Sequence, residues 1–126
     1  MLPDLLRDLL DARAFAVLST INPDGSPQSS VIWATYDGDE VVFSTILGRR
    51  KTRNMERDPR VSLCVYDRAD PYRYVEVRGT VSMTTEGGPE LIQRLSLAYD
   101  GEPFTEGKPT NVRVVCRVTA THMVSY

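Results

Sequence analysis

The sequence has one histidine and two cysteines, and each shortage argues against a class of site. His122 has no partner at metal-ligand spacing, so a zinc or iron site is not expected. A Ser-His-Asp or Cys-His catalytic pair would need the same histidine, which lies in an alternating, strand-like segment. Cys64 and Cys116 lie in apolar β-like runs, which predicts two buried thiols in a reducing compartment and no disulfide framework.

Nucleotide-binding motifs and targeting segments are also missing. Neither GxGxxG nor GxxxxGK[ST] occurs, so neither a Rossmann site nor a P-loop is predicted. No window of about 20 residues is apolar enough to span a bilayer. The N-terminal run MLPDLLRDLLDARAF mixes acids and arginines with its leucines, unlike a signal peptide. We therefore expect a cytoplasmic protein, and a chain of 126 residues is expected to form a single domain.

The pattern of apolar residues and turns predicts an antiparallel β protein. Short β-like runs alternate with turn signals such as NPDG and DGD, so that the first three strands form a meander. Helices are expected only between some strands, which does not fit a parallel βαβ sheet. We therefore predict a mainly β (α+β) fold, a six-stranded antiparallel closed or split barrel with peripheral helices. The strands are expected at residues 15–21, 27–36, 40–45, 60–67, 72–83 and 111–124, and two helices at 3–13 and 87–101. A third helix is expected in the basic stretch, where Gly48 can open it, residues 52–57 contain no breaker and Asp58-Pro59 closes it.

One segment, TILGRRKTRNMERDPR, concentrates the positive charge. It holds six of the fifteen Lys and Arg residues, whereas the whole chain has a formal net charge of −2. Three interpretations are open: a nucleic-acid patch, a pocket for one phosphate, or a solvated helix. The acidic pI and the lack of other basic surface disfavour nucleic acid. A first helical turn favours an anion, so the compact segment favours a single phosphate. Its stripe carries Arg49, Arg53 and Arg57, and its first turn carries Arg50 and Lys51.

The order of three segments is familiar: VLSTINPDGSPQSSVIWATYDGDEVVFST, then GRRKTRNMERDPRVSLCVYD, then YRYVEVRGTV. Together they resemble the flavin and deazaflavin oxidoreductases of the split-barrel superfamily, which includes pyridoxamine 5′-phosphate oxidase. The pattern R-x-K-x-R-N-x-x-x-D-P-R is similar to the actinobacterial branch that uses coenzyme F420. The resemblance spans about residues 12–83. It implies an FMN-binding type of split barrel over residues 1–126, homodimeric, with one cofactor in each groove between protomers.

The resemblance also implies which residues bind the cofactor. The basic turn would hold the phosphate, the second strand would line the ring, the third strand would end beside it, and the partner's fifth strand would cover it. The matching residues are Arg49, Arg50, Lys51 and Arg53 for the phosphate; Gln28, Ser30, Val31 and Trp33 for the ring; Ser44 and Thr45 at the strand end; and Tyr72, Arg73 and Tyr74 from the partner. No side chain is assigned a catalytic role, because the chemistry of hydride transfer belongs to the cofactor.

The expected activity is an F420-dependent oxidoreductase that transfers a hydride between the reduced cofactor and a small conjugated organic substrate. Three alternatives remain open. The first is an FMN-dependent oxidase or reductase of the same fold. The second is a non-enzymatic carrier of the deazaflavin. The third is a nucleic-acid-binding module that uses the basic helix. Loop 102–110 has enough charge and proline to be mobile, and its composition names no ligand.

Overall fold

The computed structural model describes residues 1–125 and contains three helices and one curled sheet. All strand pairs are antiparallel, and the sheet has seven strands in the order β2-β1-β5-β6-β7-β4-β3. The mainly β, antiparallel prediction is confirmed. The elements are α1 (Asp4–Asp11), β1 (Phe15–Ile21), β2 (Pro27–Ile32), β3 (Ala34–Asp37), β4 (Glu40–Ile46), α2 (Arg50–Arg57), β5 (Arg60–Tyr66), β6 (Tyr74–Thr84), α3 (Gly88–Tyr99) and β7 (Arg113–Ser125).

The predicted strand at residues 27–36 is two strands, so the expected count of six is wrong by one. Trp33 separates them: β2 pairs with β1, whereas β3 pairs with β4. These two strands form the opposite edges of the sheet, so the first three predicted strands do not form a meander. The apolar pattern continues through Trp33 and cannot show that the chain changes partner there. The curled sheet brings its two edges together at this residue, which gives a split barrel.

The core lies inside the curl of the sheet and below α1. Residues alternate between inner and outer faces along each strand. Leu18, Leu63 and Val77 are fully buried on the inner face. Leu6 and Leu9 lie on one face of α1 and are also buried in this core. Each such side chain contributes roughly 1.5–3 kcal/mol to folding by burial. The core therefore provides a rigid support for the loops and helices outside it.

Two buried polar side chains fix the rotation of α2 about its own axis. Thr52 Oγ1 donates to the carbonyl oxygen of Ile46 at 2.6 Å. Asn54 Nδ2 donates to Thr20 Oγ1 and to Asn22 Oδ1, both at 3.0 Å. Thr52 and Asn54 are fully buried, so their loss would leave unsatisfied polar groups inside the protein. With this rotation Lys51 is half-buried and meets Ser30 of β2, whereas Arg50, Arg53 and Arg57 are exposed.

The start of α3 lies directly on the backbone of β7. A Cβ atom at Gly88 would be 2.3 Å from the carbonyl oxygen of Arg113, so only glycine fits at this contact. From there the helix runs with Ile92 and Leu95 buried toward the sheet. The close approach therefore sets the distance between this helix and the start of β7.

Candidate functional site

A cleft of about 220 Å³ lies between the ends of β2 and β4, the start of α2, and α3 with the loop that follows it. It combines basic side chains with aromatic and aliphatic ones. Such a lining suits a ligand that has both an anionic group and a flat apolar part. The lining residues are Phe15, Val31, Ile32, Trp33, Ser44, Arg49, Lys51, Ile92, Leu95, Phe104 and Arg113.

Lys51 lies at the basic side of the cleft. Its Nζ is 3.4 Å from Ser30 Oγ, and the side chain is half-buried. Burial lowers the pKa of Lys51, and the charges of Arg49 and Arg113 lower it further. Three cations therefore interact at one place. Because like charges in a partly buried site repel one another, an anion bound among them would be stabilised.

Arg113, at the start of β7, is a cleft residue that the sequence reasoning missed. Its Nε and one terminal nitrogen donate to the carboxylate of Glu106 at 2.7 and 3.0 Å. Its other terminal nitrogen lies 3.4 Å from Ser44 Oγ. The hydrogen bonds from Arg113 are the main cause that lowers the pKa of Glu106. Glu106 is thus an ionised partner that offsets part of the positive charge at the cleft.

The loop that carries Glu106 is anchored to α3. The Gln93 side-chain amide donates to the carbonyl oxygen of Phe104 at 2.8 Å and accepts from its N–H at 2.9 Å. Ser96 Oγ donates to the carbonyl oxygen of Glu102 at 2.7 Å. The guanidinium of Arg113 lies over the Phe104 ring, 4.7 Å from its centroid. The composition of residues 102–110 predicted mobility, whereas these contacts tie the loop down as a wall of the cleft.

An aromatic stack supports the opposite side of the cleft. The Tyr99 ring lies 5.5 Å from the Trp33 ring and 5.9 Å from the Phe15 ring. The Tyr99 hydroxyl is 2.6 Å from the carbonyl oxygen of Ala14 and 3.0 Å from that of Ala34, and it accepts from the Ala34 N–H. Burial raises the pKa of Tyr99, which keeps the hydroxyl protonated as a donor. The stack therefore fixes Trp33 where the chain crosses between sheet edges.

Five of the residues predicted from the sequence line the cleft, and a sixth is in contact with it. The sixth is Ser30, through its contact with Lys51. The strand ends and the start of α2 bring all of them together. The five are Val31, Trp33, Ser44, Arg49 and Lys51.

Four other predicted residues lie elsewhere. Gln28 accepts a hydrogen bond from Thr20 Oγ1 at 2.6 Å and belongs to the polar network below α2. Thr45 is buried with its hydroxyl 2.9 Å from Thr52 Oγ1. Arg50 and Arg53 are exposed on the outer face of α2. Strand alternation explains Thr45, which points to the opposite face from Ser44, and the turn of the helix explains Arg50 and Arg53. Gln28 lies on the same face of β2 as Ser30 but nearer the start of the strand, where it meets Thr20.

The residues predicted to come from a partner protomer stand apart from the cleft of their own chain. Strand β6 begins at Tyr74, two residues later than predicted, so Tyr72 and Arg73 precede it in a turn. Tyr72 is 85% exposed. Arg73 pairs with Asp67 at 3.2 Å. Their proposed contact with a cofactor in a second protomer stays a prediction.

Besides Arg113, the sequence reasoning missed the apolar walls of the cleft. Phe15 begins β1, Ile92 and Leu95 lie on α3, and Phe104 is in the loop after α3. The helical spacing of Ile92 and Leu95 could equally mark residues that only pack on the sheet. The clearest available signal was Phe104, an aromatic residue within a charged, proline-containing loop.

Neither cysteine lines this cleft, although Cys116 lies close enough to Lys51 for their charges to interact. Burial raises the pKa of the Cys116 thiol to about 12, and burial followed by the nearby Glu76 raises that of Cys64. Within residues 1–125, no three His, Cys, Asp or Glu side chains are grouped closely enough to hold a metal ion. None of the helices over the same residues is both long and apolar enough to cross a membrane.

The curled antiparallel sheet, with a cleft where its edges meet, defines a split-barrel protein of the cofactor-binding type. Residues 2–122 match the family model described as pyridoxamine 5′-phosphate oxidase. The chain belongs to this family.

Individual relatives agree with that assignment. A solved structure described as an F420 reductase is 33% identical over 98% of both chains, with a TM-score of 0.84. A conserved hypothetical protein from Mycobacterium tuberculosis is 27% identical over 100% of this chain and 84% of its own, with a TM-score of 0.79. Pyridoxine/pyridoxamine 5′-phosphate oxidase from Rubrobacter xylanophilus is 41% identical over 71 residues, 56% of this chain. The match spans only 32% of that relative's length.

Proposed function

We propose that the protein is an F420-dependent oxidoreductase that transfers a hydride between reduced coenzyme F420 and a small conjugated organic substrate. The observation that carries the proposal is that Arg49, Lys51 and Trp33 line a single cleft. The similarity to an F420 reductase over nearly the whole chain supports the choice of cofactor. An oxidoreductase of the pyridoxamine 5′-phosphate oxidase type is the broader form of the same proposal.

The residues present fit a cofactor of this chemistry. Arg49 and Lys51 would hold a phosphate, because arginine and lysine form charge-assisted hydrogen bonds to its oxygens. Val31 and Trp33 would contact a flat ring, and Ser44 offers a hydroxyl between the two parts. When bound, the reduced deazaflavin supplies the hydride. The protein's part is to orient the ring, exclude water and neutralise the phosphate, and we assign no catalytic acid or base.

An FMN-dependent oxidase or reductase is the second candidate. It is favoured by the curated relatives, which are pyridoxine/pyridoxamine 5′-phosphate oxidases. FMN would use the same basic side chains, because it also joins a flat ring to a phosphate. A deazaflavin carrier without activity would also use the same cleft. These alternatives differ in which cofactor the protein binds and in whether the bound cofactor is consumed in a reaction.

Side-by-side titration of coenzyme F420 and FMN, followed by fluorescence or anisotropy, tests the proposal directly. We expect tighter binding of F420, followed by consumption of the reduced cofactor with a conjugated acceptor such as an enone or quinone. A preparation that is yellow with bound FMN would instead support the flavin enzyme. Binding of F420 with no consumption across a broad acceptor panel would support the carrier. A cytoplasmic location is part of the same proposal.

The proposal includes a homodimer, in which the partner completes each site. A cleft of about 220 Å³ is smaller than the roughly 300–1,000 Å³ of typical ligand sites. Val31, at the edge of the cleft, is 61% exposed. The neighbouring outer face of β1, β5 and β6 has a second hollow of about 500 Å³. In this arrangement Tyr72, Arg73 and Tyr74 of each protomer cover the other protomer's cofactor.

A mixing experiment tests the shared site. One variant carries Arg49→Ala with Lys51→Ala, and the other carries Tyr72→Ala; each alone is expected to bind cofactor poorly. Random reassortment of the two should restore about a quarter of the wild-type sites, because half of the dimers are mixed and each has one intact site of two. Sedimentation confirms that the mixture is dimeric, and affinity capture of one variant through a tag, with the untagged variant recovered beside it, confirms that dimers have exchanged. No restored binding among mixed dimers, or a monomer at all concentrations, would contradict the proposal.

The loss of the Lys51 proton should make cofactor affinity fall at alkaline pH. The pKa of Lys51 is lowered from the usual lysine value of 10.5, mainly by burial and then by the charge of Arg49. Phosphate binding favours the charged form, so binding is coupled to proton uptake as the pH approaches the lowered pKa. Affinity should therefore fall as the pH rises through that value. Isothermal titration across neutral and alkaline pH measures the fall.

The control for this pH dependence is Lys51→Arg, because arginine stays protonated over the whole range. The variant should bind the same ligand with a flatter alkaline profile. Equal slopes for the wild type and Lys51→Arg would show that another group causes the dependence.

A further inference from the structure

We propose that Arg113 is a third cationic ligand of the cofactor phosphate, alongside Arg49 and Lys51. The inference rests on the proposed function, since the anion it concerns is the phosphate of the bound cofactor. Arg113 comes from β7, far in sequence from the basic segment around α2. Its side chain nevertheless lines the same cleft.

The orientation of the guanidinium leaves one edge for a ligand. Glu106 occupies the edge formed by Nε and one terminal nitrogen, through bonds of 2.7 and 3.0 Å. The other terminal nitrogen has only a long contact of 3.4 Å with Ser44 Oγ. Because an arginine has five N–H donors, this arrangement leaves donors unused by Glu106. They lie on the Ser44 side of the group, and Ser44 is itself a cleft residue.

The position of Arg113 is fixed before any ligand arrives. Its side chain is 11% exposed, and its guanidinium lies over the Phe104 ring. Phe104 is held by the two backbone hydrogen bonds that it forms with the Gln93 side chain, and Glu106 belongs to the same loop. A preorganised donor loses little conformational freedom on binding, so it contributes more to affinity than a mobile surface arginine.

The electrostatics of the cleft are consistent with a shared anion. The charge of Arg113 is among the causes that lower the pKa of Lys51, and the charge of Arg49 among those that lower the pKa of Glu106. The three cations and one carboxylate therefore interact as a single group with an excess of positive charge. A phosphate placed among them would relieve that excess.

The test compares ligands that carry a phosphate with ligands that lack it; FMN and riboflavin differ by the phosphate alone. FMN is compared with riboflavin, and coenzyme F420 with its deazaflavin chromophore lacking the phosphate-bearing tail. Arg113→Gln should weaken binding of each phosphate-bearing ligand about tenfold, the effect of one lost charge-assisted hydrogen bond. Binding of the phosphate-free ligands should be unchanged. Arg113→Lys keeps the charge and should lie between the wild type and Arg113→Gln.

Arg117→Gln is the matched control. Arg117 lies on the same strand and is also ion-paired, with Asp37 at 3.1 Å and Glu40 at 3.4 Å, but it does not line the cleft. This variant should bind all four ligands as the wild type does. A thermal melt of each variant shows whether it is folded, and Arg113→Lys carries the test if Arg113→Gln does not fold.

The outcomes separate this inference from the proposed function. Suppose that the wild type binds the phosphate-bearing ligands more tightly than the phosphate-free ones. If the Arg113 variants show the same ratio of affinities as the wild type, the role of Arg113 is refuted and the proposed function stands. Equal weakening of phosphate-bearing and phosphate-free ligands also refutes it, because Arg113 would then only shape the cleft. If the wild type binds neither FMN nor F420, the proposed function fails and this inference fails with it.

Discussion

Replacing Arg49 and Lys51 together by alanine is expected to weaken cofactor binding by at least about 100-fold. Each charge-assisted hydrogen bond to a phosphate contributes roughly 1.5–3 kcal/mol, and each 1.4 kcal/mol corresponds to tenfold in affinity. Both side chains line the cleft, where burial is the main cause of the lowered pKa of Lys51 and the charges of Arg49 and Arg113 lower it further. The measurement is a titration with F420 and with FMN at fixed ionic strength.

The same helix supplies a control for total charge. Arg50 and Arg53 are exposed, and neither lines the cleft. Changing both to alanine removes the same two positive charges from α2. This control should leave affinity within about threefold of the wild type. Arg49 is exposed too, but it lines the cleft, whereas Arg50 and Arg53 could act on the ligand only over a distance at which salt screens their charge.

Two results would contradict the assignment of Arg49 and Lys51. Unchanged affinity in Arg49→Ala with Lys51→Ala would mean that the cleft does not hold the phosphate. Equal losses in the two double variants would mean that α2 acts through its overall charge. A salt-dependent affinity for random DNA, lost in both double variants and insensitive to cofactor, would favour the nucleic-acid interpretation of the basic segment.

Gly88→Ala should lower the free energy of unfolding by about 2–3 kcal/mol, which is typical of inserting an atom into a filled site. The new Cβ would lie 2.3 Å from the carbonyl oxygen and 2.8 Å from the carbonyl carbon of Arg113. Both are backbone atoms, so α3 and β7 have to move apart. Since Ile92 and Leu95 on α3 line the cleft, cofactor affinity should fall as well.

Gly107→Ala is the matched control for this substitution. An added Cβ at Gly107 would meet no atom within 4 Å, so the change should be neutral or slightly stabilising. Urea unfolding of both variants measures stability, and cofactor titration measures the cleft. Equal stabilities for the two variants would show that the contact between Gly88 and Arg113 relaxes without cost.

Local signals in the sequence predicted most elements closely. The run FAVLSTI matches β1 in full, and Asp58-Pro59 ends α2 where expected, because the residue before a proline avoids helical geometry. Strand β6 alternates between buried valines and outward polar residues, as the sequence pattern indicates. These features depend on neighbours within a few residues, and a single sequence contains that information.

The features that the sequence reasoning missed depend on partners far along the chain. Nothing local in PQSSVIWATY shows that Trp33 is where the strand changes its pairing. Gln28 and Ser30 lie on the same face of β2, and only the packing of α2 against the sheet separates them, because Ser30 meets Lys51 whereas Gln28 meets Thr20. Likewise Arg113 and Arg117 both interrupt the valines of β7, and the positions of Ser44 and Glu106 decide which one faces the cleft.

The place of β7 in the sheet has a consequence for the order of folding during synthesis. It lies between β6 and β4, yet it is the last of the seven strands to be made. Four strands, β2, β1, β5 and β6, can pair before β7 is made. The hairpin of β3 and β4 joins the rest of the sheet only through β7. Arg113 meets Ser44 only when β7 docks. We therefore expect a nascent chain that stops before β7 to capture no cofactor, because the cleft is complete only after this strand has docked.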